Sequence, residues 1–105
     1  MKTINTLIFY MSCFVASNSY AGYDEDVAAI NKSMPKQVLQ FNKRQIACNH
    51  WSGEEPYDKA RATEIAAAVK KLRCDALDKD EKFLLKKYKT KPNIINSINK
   101  AKAYI

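Results

Sequence analysis

Two cysteines, Cys48 and Cys74, limit what this chain can become more than any other feature, because the N-terminus marks it for an oxidising compartment. The first 21 residues, MKTINTLIFYMSCFVASNSYA, open with Lys2, run through apolar residues from Leu7 to Ala16 and end in Ser19-Tyr20-Ala21. Small residues at the two positions a signal peptidase checks complete the layout of a secretory signal. Residues 1–21 are therefore expected to be a cleaved signal peptide, and residues 22–105 a single helical domain. A transmembrane anchor fits less well: the apolar run is shorter than the ~20 residues of a span, and Ser12, Ser17, Asn18 and Ser19 interrupt it. A lipoprotein would be acylated at Cys13, but Tyr10-Met11-Ser12 stands before it in place of a leucine-led box of small residues. The expected location is the periplasm or the medium, with no membrane span in the mature chain.

Taking 21 residues from 105 leaves 84, and taking Lys2 from a net charge of +7 leaves +6. A chain this short buries a small share of its surface, so its core is thin. With Cys13 gone, the two remaining cysteines most simply form one disulfide, Cys48–Cys74. Closing a loop of about 25 residues contributes roughly 3.5 kcal/mol in the chain-entropy model, a large part of the net stability of so small a domain. A thiolate nucleophile at Cys48 beside His50 competes poorly, because Cys74 is an obvious mate. A zinc site of Cys48, His50, Cys74 and Glu54 or Glu55 lacks the paired C-x2-C ligands usual in structural sites, and the disulfide would consume two of its donors. No metal and no cofactor is expected.

Glycine and proline are rare and fall between apolar runs, which favours helices over tight hairpins. The fold class expected is all-α, a small bundle of four or five short helices stapled by the disulfide. The segment YDEDVAAINKSM, from Tyr23, carries acids first and Lys32 last, as a short helix prefers, and Pro35 stops it. KQVLQFNKRQIACNHW, from Lys36, reads as helix to about Arg44 and then as an extended stretch, because Ile46, Cys48 and His50 alternate. PYDKARATEIAAAVKKLRC is rich in alanine, with Pro56 in its expected first turn and Glu54, Glu55 and Asp58 at its start. Ile65, Ala68, Val69 and Leu72 form one stripe, and Ala60 and Ala67 lie on the side of Cys74, so this helix is expected to be central. LDKDEKFLLKKYK restarts a helix with a capping box of Asp78 and Glu81. Leu77, Leu84 and Tyr88 share its inner face, and Phe83 and Leu85 flank that face. KPNIINSINKAKAYI places Pro92 near a first turn and Ile94, Ile98, Ala101 and Ile105 on one stripe.

The densest stretch is CNHWSGEEPYDKAR, residues 48–61. Each residue has a structural reading: Trp51 shields the disulfide, Gly53 lets the chain turn, and Glu54 and Glu55 place charge at a helix start. Tyr57 stacks on Arg61 one turn on, Asp58 pairs with Arg61, and His50 is a buried hydrogen-bonding residue. The functional reading makes His50, Trp51, Glu54, Glu55, Tyr57, Asp58 and Arg61 a patch that contacts a partner. A glycosidase pair at Glu54 and Glu55 is unfavourable, since such carboxylates face each other ~5–9 Å apart across a sugar-sized cleft. Enzymatic activity is not expected.

From Lys82 to Lys102 the chain carries seven lysines and no acid. Lys82, Lys86, Lys87, Lys89 and Lys91 form a basic face, either simply solvated or an electrostatic footprint for an acidic partner. Nucleic acid is disfavoured by export and by the lack of arginine interleaved with the lysines. The partner classes expected are another envelope protein or an anionic envelope surface.

The blocks C-N-H-W-S-G-E-E-P-Y-D-x-A-R, K-L-R-C-D-A-L-D-x-D-E and Y-x-x-x-P, spanning Cys48 to Pro92, resemble a pattern in small exported proteins of Gram-negative bacteria with no assigned activity. The resemblance implies a periplasmic setting and no reaction. Three functions remain in play. The first is an interaction module such as an inhibitor, immunity protein or envelope accessory factor. The second is a structural or stress-related envelope protein without a dedicated site. The third is a metal-binding or hydrolytic protein using Cys48, His50 and Glu54 or Glu55.

Overall fold

The computed structural model describes residues 19–105. These form five α-helices and one 3-10 turn: α1 Ser19–Ile30, α2 Lys36–Ser52, α3 Lys59–Lys71, the 3-10 turn Cys74–Ala76, α4 Leu77–Lys87 and α5 Pro92–Ala103. The fold is all-α, and Cys48 and Cys74 are disulfide-bonded with their Cα atoms 5.8 Å apart. Most of the expected signal peptide, with Cys13, lies outside the described residues; residues 19–21 open α1.

α2 is the centre of the bundle. It packs on α3, α4, α5 and the 3-10 turn, and most extensively on α5. The extended stretch expected before Cys48 is instead helix, continuous to Ser52. Val38, Phe41, Asn42, Ile46 and Cys48 are all buried and fit one helical face about 160° wide, with Ile46 and Cys48 towards its two edges. Residues that alternate in a strand can therefore also be buried together on a broad helix face.

The core cluster joins Val38, Phe41 and Cys48 to Leu77 and Leu84 of α4 and to Ile94 and Ile98 of α5. Met34, Leu72, Cys74, Leu85 and Tyr88 pack against it. Each aliphatic or aromatic chain so buried contributes about 1.5–3 kcal/mol relative to exposure. Ile94, Ile98 and Ala101 line the inner face of α5 as expected, but Ile105 is beyond the helix and fully exposed. Phe83 is also displaced from its expected place beside the core, being 57% exposed.

α3 is not the central helix. None of its residues is fully buried, Ile65, Ala68 and Val69 are half-buried, and Ala60 and Ala67 face solvent. It begins at Lys59, later than expected, so Pro56 lies in the preceding loop rather than in its first turn. α4 follows the 3-10 turn directly, with Ala76 at its N-cap position and no capping box from Asp78 and Glu81. α1 ends at Ile30, before Pro35; Ser33 takes a left-handed conformation at φ 60°, and Pro35 caps the start of α2.

A polar seam crosses the interior where α1, α2 and α5 meet. The fully buried Asn42 donates from Nδ2 to Asn31 Oδ1 at 3.0 Å and to Ser97 Oγ at 2.8 Å. Ser97 Oγ donates to the Ile30 carbonyl at 2.6 Å. Asn31 Nδ2 and Asn42 Oδ1 find no partner among the described residues. The seam therefore fixes the register of three segments at some cost, since an unsatisfied buried polar group costs about 1–3 kcal/mol.

Candidate functional site

The joint between α2 and α3 is built from the CNHWSGEEPYDKAR stretch. Its frame comes from residues that reach out of α2. Arg44 donates from Nε to the Leu72 carbonyl at 2.6 Å and from Nη2 to the Arg73 carbonyl at 2.9 Å, satisfying the open C-terminal end of α3. The same guanidinium pairs with Asp80 of α4 at 2.8 Å. This cap lets the chain turn at Arg73, whose φ of 55° is unfavourable for a residue with a Cβ, and enter the 3-10 turn at Cys74. One turn after Arg44, Cys48 holds Cys74 covalently. Asn49 donates from Nδ2 to the Ala101, Lys102 and Tyr104 carbonyls at 3.1, 3.3 and 2.8 Å, which ties the end of α5 to the same place.

α3 starts at the other end of the joint. Asp58 is its N-cap and accepts from the Arg61 backbone N–H at 2.8 Å. Asp58 thus does meet Arg61, through the main chain rather than as an ion pair. The Arg61 side chain turns to Glu54, donating from Nε to Oε1 at 2.6 Å and also from Nη2, while Nη1 lies 3.3 Å from Glu64 Oε1. The hydrogen bond to Glu54, then that to Glu64, pushes the guanidinium pKa further up, so this cation is permanent.

Arg61 stacks on Trp51, with its Cζ 5.1 Å from the ring centroid. The expected stack on Tyr57 does not form. Trp51 is half-buried and is not among the residues packed on the core, so it braces Arg61 rather than shielding the disulfide. The His50 ring meets Trp51 edge-on at 5.5 Å, and its Nε2 lies 3.4 Å from Glu54 Oε2. The His50 side chain is 64% exposed, not buried. Gly53 ends α2 at φ −87°, which any residue adopts. Its use is space, since a Cβ there would sit 3.3 Å from the Asn49 carbonyl.

The joint therefore divides its residues. Trp51, Glu54, Asp58 and Arg61 hold one another. His50, Glu55 and Tyr57 are presented to solvent, and Tyr57 is 80% exposed. Both cysteine sulfurs are in the disulfide, so the ligand set Cys48, His50, Cys74 and Glu54 or Glu55 is not assembled, and among the described residues no three His, Cys, Asp or Glu side chains converge for a metal. Glu54 is committed to Arg61 and does not face Glu55 across a cleft. A cleft of about 530 Å3 lies elsewhere, between α1 and α2, lined by Tyr23, Val27, Leu39 and Lys43 among others.

The lysine run forms a second surface. Lys82, Lys86, Lys87, Lys89 and Lys91 are all exposed, and among the described residues none is ion-paired; Lys102, in contrast, pairs with Glu81 at 2.8 Å. Lys87 donates to Gln37 Oε1 at 2.8 Å and lies over the rings of Phe83 and Tyr88 at 6.0 and 5.5 Å. An exposed aromatic residue does therefore stand among these lysines.

Sequence reasoning missed Arg44, Asn49 and Asn42, which organise the site and core. Val38, Asn42 and Ile46 recur every four residues, and that spacing was the available sign that Asn42 faces inward. Arg44 and Asn49 gave no comparable sign, because their partners are distant backbone carbonyls. No family model matches this sequence, and no curated protein and no solved structure matches it.

Proposed function

We propose that this protein is a small exported interaction module of the bacterial envelope, of the inhibitor, immunity or accessory-factor kind, and not an enzyme. In this reading the signal peptide is removed after Ala21, the disulfide forms outside the cytosol, and the α2–α3 joint contacts a partner protein. The observation that carries it is Tyr57: a tyrosine 80% exposed in the short loop between Gly53 and the Asp58 N-cap, whose two ends are fixed. The Asn49, Arg44 and disulfide attachments hold one end, and the Asp58 cap and the Glu54–Arg61–Trp51 stack hold the other. Rigid aromatic side chains lose little entropy on binding and are enriched where binding energy concentrates. His50 and Glu55 beside it supply polar specificity.

The test is cross-linking from the periplasm of a Gram-negative host, comparing wild type with Tyr57→Ala, His50→Ala and Glu55→Ala. A specific partner captured by the wild type and lost with Tyr57→Ala is the expected result. Capture that is the same in all four proteins would sink the joint as the contact surface. Intact mass beginning at Gly22, two hydrogens short of the dithiol, is expected of exported material; a full-length reduced chain would count against export.

A further inference from the structure

A second surface, separate from the joint, has its own chemistry. On α4, taking Leu84 as the inward direction and 100° per residue, Lys82, Lys86, Lys79, Phe83 and Lys87 follow one another around an outward arc of about 140°. No acid falls within that arc. Asp78 and Asp80 border it, and Asp80 is already engaged by Arg44, as Glu81 is by Lys102. Among the described residues none of the four lysines is ion-paired, and Lys89 and Lys91 extend the charge into the turn before α5. Phe83 sits inside this field with more than half its surface exposed, although Phe41 and Leu84 of the same interface are buried.

We infer that the outward face of α4 is a docking surface for an anionic phospholipid bilayer. The lysines meet the headgroup phosphates, and Phe83 enters the boundary between headgroups and acyl chains. Charge complementarity sets the occupant. Four ammonium groups on one helix face, with two more in the following turn, match a plane of phosphates without demanding a fixed partner geometry. Bidentate phosphate recognition would instead call for arginine, and the arc has none. The single aromatic ring within it supplies the apolar anchor that an interfacial helix uses. Docking is peripheral: among the described residues no helix is long and apolar enough to cross a membrane.

The test is co-sedimentation of the disulfide-bonded protein with vesicles of phosphatidylcholine alone or of phosphatidylcholine mixed with phosphatidylglycerol. Sedimentation is expected only with the mixed vesicles and falls steeply with added salt. Lys82→Glu and Lys86→Glu each lower partitioning by about five-fold or more, the equivalent of about 1 kcal/mol per lysine removed from the surface. The pair Lys70→Glu/Lys71→Glu on α3 lowers the net charge by as much as Lys82→Glu and Lys86→Glu combined, and leaves most of the binding intact. Phe83→Trp in a Trp51→Phe background shifts its emission to the blue on mixed vesicles. The inference is overturned by sedimentation that ignores phosphatidylglycerol or survives the Lys82 and Lys86 reversals. Equal loss from the α3 pair, an unshifted Phe83→Trp emission, or tighter retention on DNA than on vesicles at the same salt would also overturn it.

Discussion

The disulfide ties α2 to the turn just past the end of α3, yet α2 buries five of its residues and α3 buries none completely. α2 is fixed by its face, through Val38, Phe41 and Cys48 against Leu77 and Leu84 of α4 and Ile94 and Ile98 of α5. α3 is fixed by its ends: Cys74 and the Arg44 cap on one side, Asp58 and the Glu54–Arg61 pair on the other. Two helices of 17 and 13 residues in so short a chain cannot both be wrapped, because the apolar material does not suffice. The consequence is functional as well as structural. A helix held at its ends leaves its sides, and the loop that leads into it, free for contact.

The contrast is most easily broken with one substitution made twice. Ile98→Ala, at a fully buried site on α5, is expected to cost about 4 kcal/mol by urea unfolding, in the upper part of the range for large-to-small changes in cores. Ile65→Ala, on the half-buried side of α3, is expected to cost less than about 2 kcal/mol. Equal costs would mean that α3 is held by its face after all.

Next in size is the cross-link. Replacing Cys48 and Cys74 together by alanine is expected to lower stability by about 3.5 kcal/mol, the entropy of the open loop. If α3 is held by its ends, its amides should gain hydrogen exchange before those of α2 and α5 do. Uniform exchange across all helices would show that the bond supports the whole bundle equally. A smaller version of the same question is Asp58→Ala, which removes the N-cap of α3 and is expected to cost about 1 kcal/mol with fraying confined to α3.

These two helices also show what the sequence does and does not disclose. An all-helical bundle of four or five helices and the disulfide partners were readable from alanine content, the placing of proline and the cysteine count. The ranking of the helices was not. Alanine makes α3 the most obvious helix, but helix propensity reports ease of winding and says nothing of burial. α2 looks peripheral because Asn42, Lys43, Arg44 and Gln45 interrupt its apolar residues. Yet Asn42 is buried in a polar seam, and Arg44 spends its charge on carbonyls 28 and 29 residues away. Of the patch residues, composition brought His50 to Arg61 together, but which of them brace and which are displayed depended on Trp51 taking Arg61 rather than the disulfide.

α1 extends the contrast to pH. Like α3 it has no fully buried residue among those whose side chains are described, and Tyr104, just past α5, reaches it at its middle. The phenol donates to Asp26 Oδ2 at 3.1 Å, and its ring meets Tyr23 edge-on at 5.7 Å. Partial burial first, then the hydrogen bond to Asp26 and that residue's negative charge, raise the Tyr104 pKa above the ordinary value of about 10. The fold therefore favours the neutral phenol. Its contribution is fully present below about pH 10 and is lost as pH rises through the raised value, where a phenolate would face the Asp26 carboxylate. α1 is expected to loosen at that alkaline pH while α2 and α5 keep their exchange protection. Tyr104→Phe, which cannot ionise, should remove that step while leaving the α2–α5 core unchanged. Alkaline loosening that persists in Tyr104→Phe would place the responsible group elsewhere. Loosening of α2 and α5 together with α1 would show that the outer helix is not tethered separately from the core.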